Sequence, residues 1–298
     1  MTIYNQIASN KLKTFIMMGA FMLLFLFVSI VLGRALGYGM SFVGLMLIIS
    51  GLMSFVSFYY SDKIVLSMSG AKPAKREEYK DLYQSVENLS IASGLPMPKI
   101  YVIHDSALNA FATGRDPHHA VVCATTGILE VLSESELEGV IGHEMSHIKN
   151  YDIRLMGVVS ILAGSIAIIS DFFLRSLFWG GDRDRNGGGA LVLVIGLIAA
   201  ILAPIAAMLI QFAVSRRREF LADADGALLT RHPEALARAL EKISADRHQL
   251  KTASNATAHL FIENPFKSDS SKKKRSFITN LFSTHPHVED RIKILRSM

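Results

Sequence analysis

Two long uncharged runs near the N-terminus constrain the fold more than any other feature. Thr14 to Gly33 is twenty residues without a charge, and Ala35 to Ser61 is 27 more after the lone Arg34. A helix rises about 1.5 Å per residue and a bilayer's hydrocarbon core is about 30 Å thick, so each run is long enough to span. A cleaved signal peptide is the competing reading of the first run. The run is long for that role, has no convincing small-x-small cleavage site, and is followed at once by the second. The expectation is an uncleaved helical hairpin. Leu155 to Ser170 gives a third, weaker span whose apolar character continues to Trp179 past Asp171 and Arg175, and Gly187 to Ile210 gives a fourth. Half of the 298 residues are hydrophobic and 19% are charged, which argues against an ordinary soluble domain.

The formal charge is +5. In a membrane chain such a balance points to loops facing anionic lipid rather than to nucleic acid. With the N-terminus in the cytoplasm, the inner flanks hold Lys11, Lys13, Lys63, Lys149, Arg154 and Arg216 to Arg218, while the outer loops hold Arg34, Arg183 and Arg185. Both polar blocks then face the cytoplasm. The expected organisation is a two-helix hairpin over 1–61, a first catalytic part over 62–154, a second hairpin over 155–214, and a second catalytic part over 215–298. The only cysteine, Cys123, lies in an apolar run and reads as a buried structural residue. Ser268 to Ser276 (SDSSKKKRS) reads as a solvated basic loop.

In the first polar block a helical stripe runs over Glu77 to Ser93 and is stopped by Gly94 and Pro96. Lys99 to His104 and Ala120 to Ala124 read as strands, with a short edge strand within Ala107 to Gly114. Ser133 to Glu136 is a capping box. The helix it opens carries Leu137, Val140, Ile141, Met145 and Ile148 inward, and on the next stripe His143-Glu144-Met145-Ser146-His147. Residues four apart on a helix lie nearly above one another, so His143 and His147 can offer two imidazoles to one metal, and Glu144 can take a proton from a water that the metal activates. Two histidines, one more ligand and an open position suit zinc, one ion per chain.

The topology suggests the third ligand. Spans three and four form a hairpin, so His147, just before one, and Glu219, just after the other, both lie within roughly 12 Å of the inner membrane face. Glu219 and Asp223 share a helix face, so Glu219 can ligate while Asp223 accepts the free N–H of a ligand histidine. The alternative is a surface salt bridge from Glu219 to Arg216. Ser215 to Leu240 is helical in pattern with a break at His232-Pro233, and a short amphipathic helix ends the chain.

The segments LNAFATG (108–114), HEMSHIKNYD (143–152), RRREFLADADGA (216–227) and STHPHVEDRI (283–292), threaded between two pairs of membrane spans, resemble the HtpX family of bacterial membrane zinc metalloproteases. That family is related to the CAAX prenyl proteases and has a gluzincin-type catalytic domain. The resemblance implies an α+β chain: a four-span helical membrane region with a cytoplasmic, mainly helical protease domain carrying a small β-sheet. It implies an ATP-independent endopeptidase of the bacterial inner membrane that degrades damaged or misfolded membrane proteins under stress, without nucleotide or nucleic acid. It assigns transition-state stabilisation to His285 and Arg291, and substrate binding along an edge strand to Asn109, Ala110 and Phe111. Phe111 reads equally well as core. His287 reads as an exposed histidine.

Three rival readings remain. A site-2-type intramembrane protease places its H-E-x-x-H within a span, whereas here the motif sits in a capped, charged helix. A non-proteolytic zinc-containing scaffold or chaperone has no need of Glu144. A transporter would carry more intramembrane charge than Asp171 and Arg175.

Overall fold

The computed structural model describes residues 3–35, 39–179, 215–266 and 286–298, together with 197, 198, 201, 202, 204, 205 and 208–210. Most of the predicted fourth span, the 180–189 loop, the basic 268–276 loop and His285 lie outside the described residues. Helix α1 (Ile3–Ala35) and helix α2 (Met40–Met68) form a hairpin, and a third long helix, α6 (Asp152–Trp179), packs on both. Among the described residues, these are the three helices long and apolar enough to cross a membrane, over Asn5–Arg34, Met40–Met68 and Asp152–Asp171. Phe15, Leu23 and Phe27 on α1 and Ile48, Leu52 and Phe55 on α2 point outward. An outward apolar band of this extent matches a lipid-facing surface. The inward faces pack Phe21, Leu32, Val158, Leu162 and Ile166 together, with Ile198 and Leu202 of the predicted fourth span among them.

Four strands, β1 (Lys72–Pro73), β2 (Lys99–Ile103), β3 (Ala110–Gly114) and β4 (Ala120–Thr125), make a mixed sheet in the order β1-β2-β4-β3. β2 and β4 run parallel, and the two outer pairs are antiparallel. β1 is too short to leave a periodic signature in the sequence. β3 is the expected edge strand, yet all five of its residues are buried. Cys123, in β4, is fully buried.

Helix α3 (Lys80–Ser93) starts three residues later than its pattern suggests, because Lys75 to Tyr79 are spent on a turn. It ends at Gly94, whose φ of 69° is left-handed and needs glycine's freedom. After the short helix α4 (Thr126–Val131) comes α5 (Glu134–Lys149), opened by the capping box, in which the Ser133 N–H donates to Glu136 Oε2 at 2.9 Å. Helices α7 (Arg216–Thr230) and α8 (Pro233–Ala245) are separated at the expected His232-Pro233 break, and α9 (Val288–Leu295) is the C-terminal amphipathic helix. One core joins both polar blocks: Val122, Val140 and Ile141 pack with Leu236, Leu240 and Leu295.

Candidate metal centre

Helix α5 is held against α7 by glycine. A Cβ on Gly226 of α7 would lie 2.8 Å from the His143 nitrogen, and one on Gly142 of α5 would lie 3.3 Å from the Gly226 carbonyl oxygen. Bare backbone on both sides lets the helices touch at the position of the first histidine. That contact brings Glu219 and Asp223, about two turns and one turn earlier on α7, to the face of α5 that carries His143 and His147.

The three candidate ligand side chains converge. His143, His147 and Glu219 are buried, and each offers one atom within 4.8 Å of the others. The two Nε2 atoms are 3.2 Å apart, His143 Nε2 is 3.8 Å from Glu219 Oε2, and His147 Nε2 is 3.7 Å from Glu219 Oε1. A tetrahedral ion bound at about 2.0–2.1 Å separates its ligand atoms by roughly 3.3 Å, so modest closure of Glu219 completes such a set. The imidazoles stand at 89° to one another, each aiming Nε2 at the shared point.

Behind each histidine stands a carboxylate. His143 Nδ1 lies 2.9 Å from Asp223 Oδ1, and His147 Nδ1 lies 3.1 Å from Asp152 Oδ2. A carboxylate at Nδ1 keeps the proton there and leaves the Nε2 lone pair for a metal. Each carboxylate is in turn held by a buried arginine. Arg291 donates to Asp223 from Nε and Nη2 at 2.8 and 2.7 Å, and Arg218 donates to Asp152 from Nη1 at 3.0 Å. Four buried carboxylates (Glu144, Asp152, Glu219, Asp223) thus face two buried guanidiniums. The imbalance is two negative charges, the complement of a divalent cation. Titration carries the same signal. Burial alone would depress the His147 imidazole, but hydrogen bonding to Asp152 and the charges of Glu219 and Glu144 raise it to about 9. The pocket calls for positive charge.

Glu144, between the histidines in sequence, is buried beside the cluster. Burial pushes its carboxyl upward, His143 and His147 pull it back, and Glu219 adds to the rise. Asp223 shows the opposite balance: burial favours its neutral form, and Arg291 more than reverses this, to about 2.

Of the other expected site residues, Asn109 leads into β3, and Ala110 and Phe111 begin it. Asn109 Nδ2 donates to the Glu263 carbonyl at 3.0 Å, and the Ala110 carbonyl accepts from the Ile262 N–H at 3.0 Å. Phe111 is buried edge-to-face against Phe261, 5.0 Å between ring centres. The expectation of an open strand edge thus meets a finding: the Asn109-Ala110 end of β3 is paired by the chain's own residues, which return to it from about 150 positions later. Arg291 also donates from Nη1 to the Ile262 carbonyl at 3.2 Å, so its guanidinium is engaged behind His143. Asp152, Arg218 and Asn10 join the site without any motif of their own that points to it. Asp152 stood within the segment that carries the resemblance, five residues after His147. Arg218 read as a membrane-flanking charge, and Asn10 carried no signal because its partners are 140 or more residues away.

The family model of Peptidase family M48 matches residues 76–298. A protein described as a Protease HtpX homolog from Tropheryma whipplei is 48% identical over 295 residues, covering 99% of this chain and 98% of that protein. Another so described, from Thermoanaerobacter pseudethanolicus, is 44% identical over 302 residues, covering 100% of this chain and 98% of the relative. Among solved structures, S. mikatae Ste24p aligns with a TM-score of 0.50 and 18% identity, covering 98% of this chain and 66% of that one, a likeness of fold.

Proposed function

The chain belongs to peptidase family M48 and is a membrane-bound metalloprotease of the HtpX kind, and from that premise we propose that it is a zinc endopeptidase of the bacterial inner membrane that cuts damaged or misfolded membrane proteins from the cytoplasmic side. The observation that carries this reading is the meeting of His143, His147 and Glu219 beside a buried, unligated carboxylate, Glu144. Two imidazoles and one carboxylate with a position left open form a catalytic rather than a closed structural donor set.

Zinc bound there would acidify a water and polarise the scissile carbonyl. Everything else falls to the chain. Glu144 takes the proton of the attacking water and hands it to the leaving amine; the upward pull of burial on its carboxyl suits a group that must both accept and release a proton. Asp223 and Asp152 keep the two ligand imidazoles in the required tautomer. Arg291 acts as a positioning residue through Asp223, and the family resemblance assigns it a part in stabilising the developing oxyanion. His285 is assigned, on the family resemblance, to donate to that oxygen. An extended substrate runs along β3, continuing past the Ile262–Glu263 pairing towards Ala112, with main-chain hydrogen bonds that tolerate many sequences.

Four spans with both termini in the cytoplasm complete the topology. Labelling tests it: the native cysteine, Cys123, is buried, so a cysteine introduced within 180–189 should react with an impermeant reagent added from outside the cell. The activity itself is tested by incubating the purified, membrane-embedded protein with an unfolded substrate such as casein. Cleavage should disappear with a chelator and return with zinc. Cleavage indifferent to the chelator contradicts the reading, and a zinc-containing protein that never cleaves favours the scaffold alternative.

A further inference from the structure

Resting on the reading that His143, His147 and Glu219 hold the metal, we propose that Asn10, on the first membrane helix, is a positioning residue for the metal centre. It sets the Asp152 carboxylate that orients His147, so that the centre is complete only when α1 is docked on the corner between α5 and α6.

Asn10 is buried in α1, and its Nδ2 donates twice, to Asp152 Oδ1 at 2.7 Å and to the Asn150 carbonyl at 2.9 Å. One amide group thus ties the residue that caps the C-terminus of α5 to the first residue of α6. Its Oδ1 accepts from Arg218 Nη1 at 3.4 Å, the same nitrogen that donates to Asp152 Oδ1 at 3.0 Å. Asp152 therefore spends Oδ1 on Asn10 and Arg218, leaving Oδ2 for His147 Nδ1 at 3.1 Å. Both oxygens are thus engaged, and the carboxylate plane is fixed from three helices.

The corner itself needs holding. Between Asn150 and Asp152, Tyr151 has φ of 59°, a left-handed conformation unfavourable to a side chain this bulky. That reversal turns the chain so that Asp152 comes back over His147. The next residue of α1 contributes here too: Lys11 places its Nζ 4.2 Å from the centre of the Tyr151 ring, while Arg154 stacks at 4.9 Å. Asn10 and Lys11 together clamp the strained residue and its two neighbours. An asparagine in a membrane-anchoring helix is costly unless its polar atoms are satisfied. Here its partners are the backbone and side chains that support a metal ligand, and the chain gains a centre linked to the seating of α1.

The test uses the full chain in nanodiscs and reads metal binding directly. Zinc affinity is measured by chelator competition, and the ligand field by the visible spectrum of the cobalt-substituted protein. Asn10→Leu, close in shape and tolerated in a membrane helix, should bind zinc roughly 10- to 100-fold more weakly than wild type, with a shifted cobalt band. Thr14→Val is the control. Thr14 is equally buried one turn along α1 but, among the described residues, its side chain bonds only the Asn10 carbonyl, at 2.9 Å, so both readouts should match wild type. Should Asn10→Leu fail to fold, Asn10→Gln, which keeps the amide one methylene out of place, should show a smaller change in the same direction. Wild-type affinity and an unshifted band in the Asn10 variant overturn the proposal, as does an equal loss in Thr14→Val. Glu219→Ala separates the two levels: full zinc affinity there removes the ligand reading itself, whereas loss there with no effect at Asn10 removes this inference alone.

Discussion

Asp223 Oδ1 stands 2.9 Å from Nδ1 of His143, on the side of the ring turned away from the candidate metal position. The same carboxylate takes two hydrogen bonds from Arg291, so the C-terminal helix α9 reaches the ligand set through a single side chain. Asp223→Asn should keep the packing but weaken zinc binding roughly 10- to 100-fold. Arg291→Met should act in the same direction and also destabilise the fold by about 3–5 kcal/mol, because it leaves a buried carboxylate without its counter-ion. Chelator competition and thermal unfolding in detergent read the two effects separately. An Arg291→Met protein with wild-type zinc affinity contradicts the positioning role.

Gly226 is the point where α7 meets α5. An alanine there puts its methyl 2.8 Å from the His143 nitrogen and 3.0 Å from the Gly142 carbonyl carbon, both backbone atoms that cannot turn aside. Gly226→Ala should therefore push the helices apart, lowering stability by about 1–3 kcal/mol and weakening zinc binding as Glu219 moves away from the histidines. Thermal unfolding with and without zinc checks it: the stabilisation given by zinc should shrink in the variant.

Glu136 predicts a pH dependence away from the metal. Burial would raise its carboxyl, but the Lys242 ammonium at 2.6 Å and the Ser133 N–H outweigh burial and lower it. A carboxyl whose folded pKa is depressed stabilises the protein above its unfolded value of about 4.3, and loses that contribution as pH falls through the folded value. Glu136→Gln should cost about 1 kcal/mol at neutral pH, the scale of a helix cap. The gap between wild-type and variant melting temperatures should then close as the pH is lowered below about 4.3. A gap that stays constant over that range contradicts the ion-pair account.

The parts of this molecule legible in sequence are those with a short period or a fixed spacing. The first three apolar runs, the Ser133 capping box, the His143/His147 spacing and the helix break at His232-Pro233 are all local patterns, and each appears among the described residues where the pattern places it. The approach of Glu219 to the histidines is accessible by a topological step, because the expected hairpin of spans three and four would bring its two ends together, and the two histidines and Glu219 do meet. The features that stayed hidden depend on long-range return of the chain. Ile262 pairing with Ala110 closes part of an edge that the local pattern of β3 leaves open. Asp152 stands out only as a member of the segment 143–152 that carries the resemblance, and Asn10 has no pattern that marks it. Their roles depend on a turn at Tyr151 and on docking of α1, neither of which has a periodic signature.

Glu144 carries the central claim, since it is the group that turns a metal site into a protease. The most direct measurement is zinc content and substrate cleavage on one preparation of Glu144→Gln in nanodiscs, beside wild type. The account predicts one zinc per chain in both proteins and no cleavage by the variant, because the amide cannot accept the proton of the attacking water. A Glu144→Gln protein that holds its zinc and still cleaves the substrate contradicts the account.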